Sequence, residues 1–305
     1  MKFILHVGTH KTGTSSIQRY CGKHQRYLES QGVYWPRERF RYDESQHSFM
    51  ARAFAANRVD LIEPFLENVR ESAVKVGCDR ILLSGERFSV FSVRQAQDFK
   101  KLLGADMEVV VYFRNLYDYV LSTLGQLLEV RKYHLHGKKV SGLIQARFNY
   151  TQILNTWEHA VGADNVSVYS YDEHKRDIVT HFLKTTFGME PEGGEVPRVR
   201  HNKSMDLNMI MNVFLGEFPV AEAPHRQIYP KRYLSTFPGK SYATAEYYQL
   251  ARLMIDMIDP DISHPRLQAF SDKLTSFKEV EITDEERKTY FLRFAKLIQD
   301  YYGEK

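Results

Sequence analysis

The sequence predicts an α/β protein: a parallel sheet flanked by helices, with a helical C-terminal elaboration. Three observations predict it. A short apolar run, Phe3-Ile4-Leu5-His6-Val7, leads straight into a glycine loop and then an amphipathic segment. Strand and helix patterns alternate over the first two-thirds of the chain, the arrangement that builds a parallel sheet covered on both faces. Beyond a glycine- and proline-rich break at 188–200, only helical patterns recur.

The elements follow in order. Residues 2–7 are the first strand, and 14–30 a helix with Ile17, Cys21, His24 and Leu28 near one face. Val33-Tyr34-Trp35, ahead of Pro36, is a short strand. Helices are expected over 45–56 and 59–76; in the second, Leu61, Ile62, Phe65, Leu66, Val69 and Ala73 recur at helical spacing. Residues 80–84 are a buried strand and 93–103 a helix. Met107 to Phe113 is the clearest strand of the chain. Helices from Leu116 to Arg131 and over 142–161 follow, then a strand over 166–170 and a helix over 174–187. Gly188, Pro191, Gly193, Gly194 and Pro197 then break the pattern. Helical segments lie at 205–216, 243–257 and 283–301, with a long loop over 219–241. The expected organisation is a nucleotide-binding core over 1–200 and a helical extension over 201–305 packed on it, one domain overall.

Composition narrows the class. With 305 residues, 43% hydrophobic and 26% charged, the chain can bury a substantial core and reads as a soluble globular protein. The net charge of +4 is mild, and no dense Lys/Arg run marks a nucleic-acid surface. Cys21 and Cys78 lack C-x-x-C spacing and read as reduced thiols in a reducing compartment. No stretch approaches the roughly 18 apolar residues of a membrane span, and the first apolar run is too short for a signal peptide. The expectation is a cytoplasmic protein without an integral membrane segment.

The loop Gly8-Thr9-His10-Lys11-Thr12-Gly13-Thr14-Ser15-Ser16 carries the first chemical signal. Backbone N–H groups of Thr12 to Ser16, at the start of a helix, favour an anion, and the Thr and Ser hydroxyls add donors. The core is therefore P-loop NTPase-like. A Walker loop, G-x-x-x-x-G-K-[ST], places lysine directly after its second glycine. Here Gly8 and Gly13 have that spacing, but Thr14 holds the lysine position and Lys11 sits inside the loop. The second signal is Arg114-Asn115-Leu116-Tyr117-Asp118 with Ser122. A guanidinium at a strand end and a hydroxyl on the next helix can hold one phosphate between them.

These two segments together resemble the paired signature of sulfotransferases that use 3′-phosphoadenosine 5′-phosphosulfate (PAPS), closest in style to bacterial carbohydrate-type members. Leu116 stands where that family usually has proline. The resemblance implies that Lys11, Thr12, Gly13, Thr14, Ser15 and Ser16 hold the 5′-phosphosulfate. Lys11 meets the bridging oxygen, where charge grows in the transition state. Arg114 and Ser122 clamp the 3′-phosphate and so reject ATP. The sulfuryl group passes in line to an acceptor hydroxyl, leaving 3′-phosphoadenosine 5′-phosphate (PAP), and no metal is expected.

The resemblance leaves the general base open between Glu86, in Ser84-Gly85-Glu86-Arg87-Phe88, and His47, in Ser45-Gln46-His47-Ser48-Phe49. His10 reads as a supporting group of the loop. Tyr171 either approaches the nucleotide base or is an ordinary core tyrosine. Arg200 and Lys203 either close over the nucleotide phosphates or form a solvated basic turn. Aromatic and basic residues of the 219–241 loop suit either a sugar or anionic glycan or a plain surface, and the resemblance implies a saccharide or glycolipid acceptor. Two other functions fit the scaffold: an ATP-using P-loop kinase, against which the displaced lysine argues, and a catalytically inert anion- or glycan-binding module.

Overall fold

The computed structural model describes residues 1–36, 47–104, 106–120, 122, 148–194, 255 and 259–277. The helices expected over 205–216 and 283–301 and the loop over 219–241 lie outside these residues, as does the 243–257 helix except for Ile255. The chain forms two compact units. One comprises Met1–Asn115, Ala146–Arg200 and Pro260–Leu274; the other comprises Leu116–Gln145, His201–Asp259 and Thr275–Lys305. The two units are interleaved along the chain.

The first unit holds a five-stranded sheet: β1 (Lys2–Val7), β2 (Val33–Tyr34), β3 (Arg80–Gly85), β4 (Met107–Phe113) and β5 (Val166–Ser170). The order is β2-β3-β1-β4-β5, and every pairing is parallel. From β1 the chain runs outward to β2 and returns through β3, then crosses to β4 on the opposite side. The direction of travel reverses at β1, so its carboxyl end faces the crevice where ligands of such sheets bind.

Strand composition follows from burial on both faces. Ile4, Leu82, Val110 and Tyr112 point into one cluster with Ile17, Cys21, Leu28, Ile178 and Phe182 from the helices covering that face. On the opposite face Phe113 packs 4.3 Å from Tyr150, centroid to centroid, and the Arg70 guanidinium lies over Phe3. A strand apolar on both sides reads as a continuous run such as Val109-Val110-Val111, not as an alternation.

The helices of this unit are α1 (Thr14–Lys23), α2 (Gln25–Ser30), α3 (Ser48–Ala55), α4 (Glu63–Lys75), α5 (Val93–Leu103), α6 (Tyr150–Val161), α7 (Tyr171–His174) and α8 (Ile178–Phe187). Three expected helices are divided. The 14–30 helix breaks at His24, whose φ of −109° and ψ of 40° leave the helical region. The 59–76 segment opens with a 3₁₀ turn, Val59–Leu61, and α4 starts afresh around Pro64, which is tolerated only in a first helical turn. The 174–187 helix begins earlier as the short α7 and resumes as α8 after Asp177. Cys21 and Cys78 are buried free thiols. In the second unit, residues 116–120 are helical, and Tyr117 meets Phe277 edge-on at 5.1 Å. No described helix is long and apolar enough to cross a membrane.

Candidate active site

The loop between β1 and α1 lies at the carboxyl end of the central strand. It is tied down on both sides: the Gly8 N–H donates to the Gly85 carbonyl at 3.3 Å, and the Thr9 hydroxyl donates to the Tyr112 carbonyl at 2.6 Å. The buried Thr12 hydroxyl donates to the Thr9 carbonyl at 2.7 Å and holds the curve of the loop. Two glycines are required by the geometry. A Cβ on Gly8 would lie 2.6 Å from Thr14 Oγ1. Gly13 has φ of +76°, and its Cβ would stand 3.2 Å from both Ile178 and Tyr171. Lys11 also has a left-handed φ, +65°, held by the bonds around it.

Gly13 caps α1 without any side-chain hydrogen bond. The N–H groups of Thr12, Gly13, Thr14 and Ser15 donate to no acceptor among the described residues, whereas Ser16 and Ile17 bond back to the Gly13 carbonyl. The result is a row of open donors at the positive end of a ten-residue helix, a site for an anion.

Arg114 follows β4 and leans over this loop. Its Nη1 donates to the Lys11 carbonyl at 3.2 Å, and its guanidinium lies 5.6 Å from the centroid of the Tyr171 ring. Its Nε is buried and has no hydrogen-bond partner among the described residues. The Arg114 carbonyl accepts from the Tyr150 hydroxyl at 2.9 Å, and the next residue, Asn115, is held by the Asp172 carboxylate and the Lys273 carbonyl. Lys11, Gly13, Arg114 and Tyr171 are therefore brought together. Ser122 is helical, half-buried and part of the second unit. Arg200 and Lys203 lie outside the described residues.

The two candidate bases differ sharply in surroundings. His47 is buried, and both ring nitrogens are committed: Nδ1 accepts from the Ser84 N–H at 3.0 Å and Nε2 donates to the Pro36 carbonyl at 3.2 Å. Burial lowers its pKa to about 4, with the two backbone bonds opposing. His6 is buried as well, with Nδ1 2.9 Å from Ser84 Oγ, and burial lowers its pKa to about 4 against the nearby Glu86 charge. Glu86, just after β3, keeps 27% of its side chain exposed. Its backbone is fixed by a bond from its N–H to Ser48 Oγ and by the Ser89 hydroxyl on its carbonyl. Its Oε2 lies 2.7 Å from Nδ1 of His10.

That last contact was missed by sequence reasoning, which left His10 as a supporting group. Parallel pairing of Val7 with Gly85 is what carries the two together. The signal in the sequence was positional: both residues stand just beyond strands that end at the same level. Among the described residues, no three His, Cys, Asp or Glu side chains cluster in a way that could hold a metal ion.

No protein-family profile matches the chain, and no curated protein is a detectable relative. Among solved structures the chain is similar to a sulfotransferase from Alicyclobacillus acidocaldarius, at 15% identity and a TM-score of 0.42, over 86% of this chain and 98% of that one. It is also similar to the sulfotransferase domain of the olefin synthase from Synechococcus PCC 7002, at 12% identity and a TM-score of 0.38, over 83% and 93%.

Proposed function

We propose that the protein is a sulfotransferase that uses PAPS to sulfate an acceptor hydroxyl, with a saccharide or glycolipid as the acceptor class. The observation that carries this reading is Arg114 set over a lysine-bearing loop. A guanidinium with a buried, unpartnered Nε stands beside a row of open N–H donors, and the loop has no lysine after its second glycine. A multiply anionic nucleotide with two separate phosphate groups fits that arrangement.

PAPS, when bound, supplies an activated sulfuryl group. The loop N–H groups and the hydroxyls of Thr14, Ser15 and Ser16 bind its 5′ side, and Lys11 offsets the negative charge that develops on the leaving oxygen. Arg114 binds the 3′-phosphate. Tyr171, held between Gly13 and Arg114, offers a ring face to the nucleotide. Arg200 and Lys203 are proposed as phosphate contacts from the sequence stretch 198–204 alone. Basic chemistry on the acceptor falls to the Glu86 side of the site, because both nitrogens of His47 are already bonded. His47 instead locks residue 47 to β3. A cytoplasmic location goes with this reading and with two unpaired thiols.

The test is a thermal-shift titration of the full chain with PAP, beside ATP and magnesium, in wild type and in Arg114→Ala. A ligand that binds only the folded state raises the melting temperature. The expected result is stabilisation by PAP and not by ATP, weakened in the variant. Stabilisation by ATP alone moves the protein to the kinases, and no response to either leaves an inert scaffold.

A further inference from the structure

We infer that His10 and Glu86 act as a dyad, in which His10 Nε2 takes the acceptor proton and Glu86 holds the opposite ring nitrogen. The inference rests on the sulfotransfer reading and deepens it. Three histidines, His6, His10 and His47, lie by the carboxyl ends of β1 and β3. His6 is sealed in the core against Ser84, and His47 has a backbone partner on each nitrogen. His10 alone of the three has a carboxylate beside one nitrogen, and its Nε2 makes no hydrogen bond among the described residues.

An ionised carboxylate can only accept, so in a neutral ring the 2.7 Å approach of Oε2 to Nδ1 favours the hydrogen on His10 Nδ1 and the lone pair on Nε2. Side-chain exposures of 16% for His10 and 27% for Glu86 keep the pair only partly screened. Both ends are anchored: His10 precedes Lys11 in the braced loop, and the Glu86 backbone is fixed at Ser48 and Ser89. When His10 gains a proton, the imidazolium faces an anion already in place. A carboxylate that orients and then neutralises an imidazole is the logic of the serine-protease triad. In the step, the acceptor oxygen bonds to sulfur while the bond from sulfur to the 5′-phosphate oxygen breaks. That oxygen departs with the electron pair as part of PAP, and the hydroxyl proton passes to Nε2 and then to water.

The dyad is tested first without any acceptor, by long-range proton–nitrogen spectra of the ¹⁵N-histidine-labelled full chain near neutral pH. His10 is assigned through the signal lost in His10→Gln. The expected signature is a protonated Nδ1 and a bare Nε2, with the tautomer shifting in Glu86→Ala. A His10 found as the Nε2–H tautomer, or unmoved by Glu86→Ala, overturns the proposal. With PAPS and any acceptor that turns over, His10→Gln and Glu86→Gln should each lower kcat by about 10²–10³-fold with little change in donor KM. The double variant should fall no further, since the two act as a unit. Wild-type kcat in His10→Gln overturns the proposal even if Glu86→Gln is inactive. PAP should still raise the melting temperature of both single variants. If wild type itself fails to respond to PAP, the donor assignment falls while the spectra still decide the dyad.

Discussion

At the scale of single residues, the position of Lys11 determines what the loop can do. It carries a Cβ in a left-handed conformation, φ +65°, so Lys11→Ala removes the ammonium without changing the backbone requirement. The variant should bind PAP nearly as well as wild type and turn over about 10²–10³-fold more slowly, the loss expected for one transition-state contact. Steady-state rates with PAPS check this, and turnover near wild type would sink the role. Gly13 makes the complementary case, where the backbone itself is at stake. Gly13→Ala forces a side chain into φ +76° and against Tyr171 and Ile178 at 3.2 Å. The expected cost is on the order of 1–2 kcal/mol in urea unfolding, with a weakened PAP response because the open N–H groups lose their aim. Unchanged stability together with an unchanged PAP shift would show that the loop tolerates a different course.

At the scale of elements, local sequence rules hold wherever an element is specified by its own residues. Helix α5 is the clearest: Ser92 and Gln95 form a reciprocal capping box and Gly104 closes the helix at φ +57°. Ser92→Ala should therefore cost about 1 kcal/mol of stability while leaving PAP binding untouched, measured by the same urea and thermal-shift experiments. A loss of PAP response in that variant would mean that α5 reaches the site after all. The same locality explains how much was legible. β1, β4, β5 and α5 match their expected bounds because the apolar runs of β1 and β4, the Val166-Ser167-Val168 alternation of β5 and the cap of α5 are local to each segment. The break at His24 was hidden, because α1 and α2 bury Ile17, Cys21 and Leu28 in one stripe that periodicity reads as a single helix. Pro64 was in plain view; without an N–H it must begin a helix rather than continue one, and periodicity overrode it. The site was half legible on the same terms. The loop and Arg114 announce themselves as motifs, but the His10–Glu86 contact and the commitment of both His47 nitrogens depend on strands joining distant parts of the chain.

At the scale of the whole molecule, the polar cluster between β1, α1 and β3 ties global stability to pH. Ser84 is the hub: its hydroxyl meets His6 Nδ1 and Gln18 Nε2, and its N–H donates to His47. Both histidines are held neutral, each with a pKa lowered from 6.5 to about 4, first of all by burial. Protonating His47 would turn Nδ1 from acceptor to donor against the Ser84 N–H. Protonating His6 would charge an Nε2 that has no partner. Between pH 6.5 and 4 the unfolded chain therefore binds more protons than the folded one, so stability falls as pH falls through that window and is fully present above it. At pH 5 each histidine accounts for a loss of about 2 kcal/mol relative to neutral pH. His47→Gln can still accept from Ser84 and donate to Pro36 but cannot titrate. It should lower stability modestly at pH 7.5 and lose about 2 kcal/mol less than wild type on going to pH 5, in urea unfolding at the two pH values. Carboxylates contribute equally to both proteins, so the difference isolates His47. Parallel losses in wild type and variant would show that His47 is not held neutral and that the cluster does not govern the acid limb.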